Sequence, residues 1–179
     1  MTLAEPGKLL ILTGASGAGK TTIANRVEDL AGDRVQVFRF DSIGVPSPEE
    51  MNAQFGSGEG WQRAMTHQWI ERLQSTLGEG TDVLFEGQMK PAFVDEALRK
   101  NDIESVECWL VDCGDLARRD RLANERQQPE LANQNMMNWA RYLREEARAM
   151  GVTWLDTDAL SCKEAANQIL AFFKPDQDG

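Results

Sequence analysis

Residues 14–21, which read GASGAGKT, constrain this chain more than any other segment. They satisfy the phosphate-binding pattern G-x-x-x-x-G-K-[ST] at every fixed position. An apolar burst at residues 8–13 precedes them, and apolar residues at helical spacing follow: Ile23, Ala24, Val27, Leu30 and Ala31. A strand, a glycine-rich loop and a helix in this order direct backbone N–H groups and the positive end of the helix dipole at a phosphate.

Each residue type in this loop has a physical role. The glycines let the backbone approach an anion closely, the Lys20 ammonium can reach the β- and γ-phosphates of a nucleotide, and the Thr21 hydroxyl can bind Mg²⁺. The alternative is a glycine-rich turn that binds no ligand. We predict that the loop and the start of its helix bind the nucleotide through Gly14, Ala15, Ser16, Gly17, Ala18, Gly19, Lys20, Thr21 and Thr22.

The composition limits the size of the fold and the class of partner. A chain of 179 residues suits one domain over residues 1–179, and its 41% hydrophobic and 27% charged residues are ordinary for a globular protein. A formal net charge of -10 opposes a nonspecific grip on DNA or RNA backbones. We therefore expect a small-molecule partner and no nucleic acid or membrane.

The cysteines and the N-terminus indicate in which cellular compartment the protein is expected. Cys108, Cys113 and Cys162 form no C-x-x-C pair and are odd in number, so neither a disulfide framework nor a zinc site is indicated. The first residues lack the features of a signal peptide, and no apolar stretch is long enough to span a bilayer. We expect a soluble, cytoplasmic protein.

Strand patterns alternate with helical patterns along the rest of the chain. The further strands are expected at residues 35–40, 83–85, 106–113 and 152–155. Helices are expected from Pro48, from Trp61 to Leu77 after a glycine-rich break at residues 56–60, from Pro91, over residues 115–126 and 130–150, and after Ser161. Strands that alternate with helices predict a parallel α/β sandwich.

Acidic residues follow several of the predicted strands. Ligands of open parallel sheets bind outside the carboxyl ends of the strands, so Asp41 and Glu86 are candidates for chemistry. Asp41 can accept or orient the proton of a substrate hydroxyl, and its alternative role is to cap a turn. Glu86 can hold Mg²⁺ or contact substrate, or it can be structural. Asp156 and Thr157 can border the adenine, or form only the turn before the last helix.

Together these motifs resemble the small P-loop kinases of the nucleoside-monophosphate-kinase-like group. The resemblance is greatest to the branch of gluconate and shikimate kinases and chloramphenicol phosphotransferase, and it extends over about residues 8–173. It implies a P-loop NTPase fold, a three-layer α/β/α sandwich with a five-stranded parallel sheet in the order 2-3-1-4-5. It also implies a small helical lid at about residues 114–135 and an acceptor-binding helical region at about residues 42–78.

The resemblance also implies an activity. A kinase of this kind transfers the γ-phosphate of ATP to a hydroxyl of a small molecule with the help of Mg²⁺, and ATP is expected over GTP on the same ground. The group usually has Asp-Gly followed by arginine after the third strand, whereas this chain has residues 86–90, EGQMK, which counts against a nucleotide acceptor. The alternatives are a nucleotide-binding regulator or NTPase without an acceptor, a nucleoside or nucleotide kinase, and a nucleic-acid-end kinase.

The arginine-rich segment after the fourth strand is the candidate lid. It contains Arg118, Arg119, Arg121 and Arg126, which cannot all face one ligand. We expect one arginine to cover the adenine and one the phosphates, and we favour Arg121 and Arg126. Arg126 then joins Lys20 and Asp41 as a catalytic residue. The alternative is a solvated helix face with acidic partners at helical spacing.

The acceptor is expected between residues 42–74 and the end of the third strand. The predicted substrate contacts are Asp41, Arg63, Glu86 and Gln88, and further candidates are Trp61, His67 and Lys90. For the histidine and the tryptophans, packing in the core or on the surface is the favoured alternative, because Trp61 and Trp69 fall on the apolar stripe of their helix.

Overall fold

The computed structural model describes residues 5–174; residues 1–4 and 175–179 of the predicted domain lie outside the described part. The strands are β1 (Leu9–Thr13), β2 (Val35–Arg39), β3 (Asp82–Gly87), β4 (Val106–Asp112) and β5 (Thr153–Asp156). The helices are α1 (Lys20–Ala31), α2 (Pro48–Phe55), α3 (Gly58–Gly78), α4 (Pro91–Lys100), α5 (Asp115–Asp120), α6 (Gln134–Ala149) and α7 (Cys162–Phe172). None of the helices in this part of the chain is long and apolar enough to cross a membrane.

The strands form one sheet in the order β2-β3-β1-β4-β5, and every pairing is parallel. Both the parallel sheet and its order are as expected. All five residues of β1 are buried because helices cover the sheet on both sides. Helices α1 and α7 pack on one face through Ile23, Val27 and Ile169. Helices α3, α4 and α6 cover the other face, which completes the predicted three layers.

The position of β1 determines where a ligand can bind. It lies at the centre of the sheet between β3 and β4, and its register pairs Leu12 with Glu86 and Thr13 with Gly87. The chain leaves β1 at residue 14 and runs to β2 on one side of β1, whereas the connection from β3 runs to β4 on the other side. Such a switch point opens a crevice at the carboxyl ends of the strands.

Three helical segments differ from their expected lengths. Helix α3 begins at Gly58, inside the glycine-rich segment, because the Ser57 hydroxyl accepts a hydrogen bond from the N–H of Gly60 and caps it. The arginine-rich helix is α-helical only to Asp120 and continues as a π-helical turn over Arg121–Glu125. The expected helix at 130–150 starts only at Gln134, after a 3-10 turn, with Asn133 as its capping residue.

The cysteines are unpaired thiols, as the sequence predicts. Cys108, Cys113 and Cys162 are all free. Burial raises the pKa of Cys113, and burial together with the charge of Glu146 raises the pKa of Cys108 to about 12. Both thiols are therefore protonated at neutral pH, and a protonated thiol is a weak nucleophile and a weak metal ligand.

Candidate functional site

The phosphate loop occupies the crevice at the end of β1. A Cβ atom on Gly14 would lie 2.2 Å from the carbonyl oxygen of Val111, so the path of the loop requires glycine there. Gly19 caps α1 in the left-handed region, with φ of 99°. Among the described residues, no side chain caps this helix start and no acidic residue occupies its first turn. Its N–H groups therefore remain available to an anion.

Lys20 folds back over this loop. Its side chain is almost completely buried, and its ammonium donates a hydrogen bond to the carbonyl oxygen of Ala15 at 3.2 Å. Burial lowers the pKa of Lys20 to about 8; the charge of Glu86 opposes this shift, Arg118 adds to it, and Asp41 opposes it again. A phosphate in the loop would favour the charged form of this lysine.

Thr21 and Glu86, the two predicted Mg²⁺ ligands, lie side by side. The Thr21 hydroxyl donates to a carboxylate oxygen of Glu86 at 3.2 Å, and Glu86 is buried near the end of β3. No cluster of three or more His, Cys, Asp or Glu side chains within residues 5–174 is arranged to hold a metal ion. The pair still fits Mg²⁺, since this ion takes one or two protein oxygens and completes its shell with water and substrate phosphates.

Asp41 lies just after β2, in a 3-10 turn at Phe40–Ile43, and is exposed. Its charge acts on Lys20, which places both residues at the same edge of the sheet. Within the described chain, its carboxylate accepts no hydrogen bond, because the Gly44 N–H that closes this turn bonds to the Asp41 carbonyl oxygen instead. The carboxylate is therefore not occupied in capping the turn.

Arg118 supports the phosphate loop from inside the protein. Its side chain is fully buried, and it donates to the carbonyl oxygen of Ser16 at 2.8 Å. It also forms a buried ion pair with Asp112, the last residue of β4. The second carboxylate oxygen of Asp112 accepts a hydrogen bond from Arg144 on α6 at 2.6 Å. This arrangement joins the loop, β4, α5 and α6.

Arg121 supports the loop from the side. Its guanidinium donates to the hydroxyl of Thr157 at 2.8 Å and to the carbonyl oxygen of the same residue at 3.0 Å. The guanidinium also donates to the Gly17 carbonyl oxygen at 3.4 Å. The Thr157 hydroxyl in turn donates to the carbonyl oxygen of Ala18 at 2.8 Å. Both predicted nucleotide contacts therefore bind the loop itself.

A cavity of about 240 Å³ lies over the phosphate loop and is lined by Gly17, Gly19, Lys20, Thr21, Thr22, Arg121, Glu125 and Arg126. Arg126 is exposed, and its charge contributes to the lowered pKa of Lys20. Arg119 is directed elsewhere and donates to the carbonyl oxygen of Ala132. Asp156 lies outside this cavity, where it accepts a hydrogen bond from the N–H of Asp158. Arg121 and Arg126 are thus the arginines of the segment that meet the predicted nucleotide site.

Gln88, a predicted substrate contact, binds the phosphate loop. Its amide oxygen accepts the Ser16 N–H at 3.2 Å, and its amide nitrogen donates to the Ser16 hydroxyl at 3.0 Å. The same amide oxygen accepts the indole N–H of Trp139 at 3.2 Å. The side chain of Gln62 in turn bonds to the backbone of Gln88 and Lys90. The amide of Gln88 therefore connects the loop to α6.

The remaining predicted acceptor residues fall in two environments. Arg63 forms an ion pair with Glu96 of α4 at 2.7 Å, and His67 contacts the same carboxylate at 3.2 Å. Trp61 and Trp69 are buried in the core between α3 and the sheet. These tryptophans therefore pack as their position on the apolar stripe indicates. A role for Arg63 in acceptor binding stays a prediction.

A second cavity, of about 420 Å³, lies between α3 and α6 next to the segment after β3. Its lining consists of Gly58, Glu59, Gln62, Lys90, Trp139 and Tyr142. We call it the α3–α6 cavity. A larger cavity, of about 640 Å³, opens at the opposite edge of the sheet near Val35 and Asp82, away from the phosphate loop.

Sequence reasoning missed several residues of this region. Asp112 ends β4, Glu86 lies near the end of β3 and Asp41 comes soon after β2, so the same pattern of acidic residues at strand ends could have identified Asp112. Trp139 and Tyr142 carry no such signal, because only the packing of α6 brings them next to the segment after β3.

No protein-family model matches the sequence, and no curated protein is significantly similar to it. Solved structures do match. The tunicamycin resistance protein of Deinococcus radiodurans is 20% identical over 92% of this chain and 94% of that one, with a TM-score of 0.65. Shikimate kinase of Acinetobacter baumannii, in complex with shikimate, is 19% identical over 93% and 92%, with a TM-score of 0.62.

A third structure is APS kinase of Mycobacterium tuberculosis in complex with AMPPNP and APS, 18% identical over 93% of this chain and 97% of that one, with a TM-score of 0.58. At these identities the similarity establishes the fold. It extends over nearly the whole chain, and the five-stranded parallel sheet with its strand order matches that of the P-loop kinases among these structures. This protein therefore has the fold of the small P-loop kinases of the nucleoside-monophosphate-kinase-like group.

Proposed function

We propose that this protein is an ATP- and Mg²⁺-dependent phosphotransferase that transfers the γ-phosphate of ATP to a hydroxyl group of a small molecule. The observation that supports it is the convergence of Lys20, Thr21, Glu86 and Asp41 at the crevice of the sheet. Phosphoryl transfer needs alignment and positive charge more than covalent chemistry. The site offers groups suited to both needs.

On the donor side, the loop amides and Lys20 would bind the phosphates, and Arg121 and Arg126 would add positive charge from the lid segment. Thr21 and Glu86 would hold Mg²⁺, which neutralises charge on the phosphates when it is bound. The APS kinase structure contains AMPPNP, an ATP analogue, which supports ATP as the donor here. The free cysteines and the need for ATP favour the cytoplasm.

On the acceptor side, Asp41 would accept or orient the proton of the attacking hydroxyl. Its carboxylate is exposed and unbonded among the described residues, and Lys20 lies within reach of its charge. A general base of this kind contributes about 10²- to 10⁴-fold to the rate. Gln88 would act differently from a simple substrate contact, because its amide is already bonded to Ser16.

A coupled assay of ADP release tests the proposal. Wild-type protein and Lys20→Ala would be screened against sugars, sugar acids, nucleosides, nucleotides, antibiotics and a short oligonucleotide. We expect at least one hydroxyl compound to accelerate ADP release by wild type and not by Lys20→Ala, with a phosphorylated product visible by ³¹P NMR.

Two outcomes of this assay would indicate a different function. ATP binding with slow hydrolysis that no compound accelerates would indicate a nucleotide-binding regulator or NTPase. Phosphorylation of the oligonucleotide alone would indicate a nucleic-acid-end kinase, against the net charge of -10.

A further inference from the structure

The lining of the α3–α6 cavity bears on which compound accepts the phosphate. The cavity adjoins the segment after β3, and Trp139 in its wall donates its indole N–H to Gln88, which binds Ser16 of the phosphate loop. One side chain thus separates the cavity wall from the loop. The volume of the α3–α6 cavity, about 420 Å³, lies within the usual range for small-molecule sites.

The wall that α6 contributes is aromatic and held in place. The rings of Trp139 and Tyr142 stack with centroids 5.6 Å apart and an angle of 7° between their planes. The Lys90 ammonium lies 4.7 Å from the centre of the Tyr142 ring. The Tyr142 hydroxyl donates to a carboxylate oxygen of Glu146 at 2.8 Å. A ligand that enters the cavity meets ordered aromatic surface at little cost in side-chain entropy.

The charges at the cavity do not favour an anion. Lys90 is the cation of the lining, and it is already paired with Glu59 at 2.8 Å. No arginine of the described chain lines the cavity. Arg63, on the neighbouring turns of α3, is paired with Glu96. Glu59 and Lys90 therefore balance each other's charge in the lining, and Glu146 adds a carboxylate at the hydroxyl of Tyr142.

We propose that the acceptor is an uncharged hydroxyl compound with a flat or ring-shaped face, and that Trp139 and Tyr142 bind this face. The inference rests on the proposed function, because it takes the α3–α6 cavity as the acceptor site. A neutral ring gains contact with the aromatic wall, and its hydroxyls can donate to the exposed carboxylate of Glu59. An anion must instead displace Glu59 from Lys90, the ammonium group of the lining.

A pair of probes that differ in one charged group tests this inference by binding. Phenyl β-D-glucopyranoside and phenyl β-D-glucuronide share the ring, the glycosidic bond and most hydroxyls, but only the second carries a carboxylate. Titration calorimetry of the full chain with each probe, in the presence of ADP and Mg²⁺, is expected to show at least tenfold tighter binding of the glucoside.

Three variants test the reason for this preference. Tyr142→Leu should weaken glucoside binding about 2- to 10-fold, the range expected for one aromatic contact. Tyr142→Phe, which keeps the ring and removes only the bond to Glu146, should weaken glucoside binding less than Tyr142→Leu does. Glu59→Gln should increase affinity for the glucuronide, because it leaves Lys90 without its carboxylate partner.

Equal or tighter binding of the glucuronide, no binding of either probe, or glucoside binding that Tyr142→Leu leaves unchanged would overturn the inference. ADP release separates this result from the proposed function. A protein that phosphorylates only anionic acceptors would refute the neutral acceptor and keep the kinase. A protein that binds the glucoside through Tyr142, yet is accelerated by no hydroxyl compound, would keep the site and refute the kinase.

Discussion

Gln88 and Ser16 form two hydrogen bonds with each other across the crevice. The N–H of Ser16 donates to the Gln88 amide oxygen at 3.2 Å, and the Gln88 amide nitrogen donates to the Ser16 hydroxyl at 3.0 Å. Ser16 belongs to the phosphate loop, and Gln88 follows β3. The shape of the nucleotide loop therefore depends on the segment that also borders the α3–α6 cavity.

Gln88→Ala should weaken ATP binding about 3- to 10-fold, because it removes both bonds that hold Ser16, and each contributes on the order of 1 kcal/mol. Titration calorimetry with ATP and Mg²⁺ measures the effect. The matched control is Gln74→Ala, since Gln74 is an exposed glutamine that donates to the carbonyl of Asn101. An ATP affinity equal to that of wild type would show that Ser16 does not depend on Gln88.

ATP binding should weaken as the pH rises above about 8. The pKa of Lys20 is about 8 in the free protein, so above this pH the ammonium is progressively lost, and affinity should fall up to about tenfold per pH unit. Titrations at pH 7 to 9.5 measure this, with Lys20→Met as the pH-independent reference. A flat wild-type profile would contradict the lowered pKa.

The lowered pKa of Lys20 also makes the free energy of unfolding depend on pH. Lys20 has a pKa of about 8 in the folded chain and 10.5 as its ordinary value, so between these values the unfolded chain binds more protons. The contribution of Lys20 to the free energy of unfolding therefore increases with pH across this window. Urea titrations at pH 7.5 and 10 should show a smaller increase for Lys20→Met than for wild type.

Arg118→Met should lower the free energy of unfolding by about 3 kcal/mol, because it removes one partner of a buried ion pair and leaves the Ser16 carbonyl oxygen without its donor. Urea denaturation followed by circular dichroism measures the loss. Arg119→Met is the control, since the neighbouring side chain is only partly buried and bonds to Ala132. Similar losses in the two variants would argue against a special role of Arg118.

Asp41→Asn should lower turnover about 10²-fold or more while ATP affinity changes less than about threefold. The substitution keeps the size of the side chain and removes the proton acceptor. Asp33→Asn, at an exposed aspartate in the turn before β2, is the control. Unchanged turnover of Asp41→Asn with an identified acceptor would remove Asp41 from the mechanism.

Local sequence determines much of this fold. The strand limits, the phosphate loop and the order of elements follow from apolar runs, glycines and capping residues that act within a few positions of one another. The crevice follows too, because parallel strands bring their carboxyl ends to one edge and carry Asp41 and Glu86 there.

The sequence does not show which arginines of the segment after β4 are buried and which are exposed. Arg118 and Arg119 are adjacent and chemically identical, yet one is fully buried against Asp112 and the other is partly exposed. Only the position of α5 against β4 determines which of them turns inward. The same is true of Trp139 and Gln88, which meet across 51 residues of chain.

The contacts of Arg118 and Arg121 limit how the predicted lid can move. Arg118 binds the Ser16 carbonyl oxygen, and Arg121 binds those of Gly17 and Thr157, so the start of the segment is fastened to the nucleotide loop. Any swing of the lid that keeps these bonds must pivot beyond Arg121, at the π-helical turn. Arg126 then travels with the moving part, while Arg121 stays with the loop.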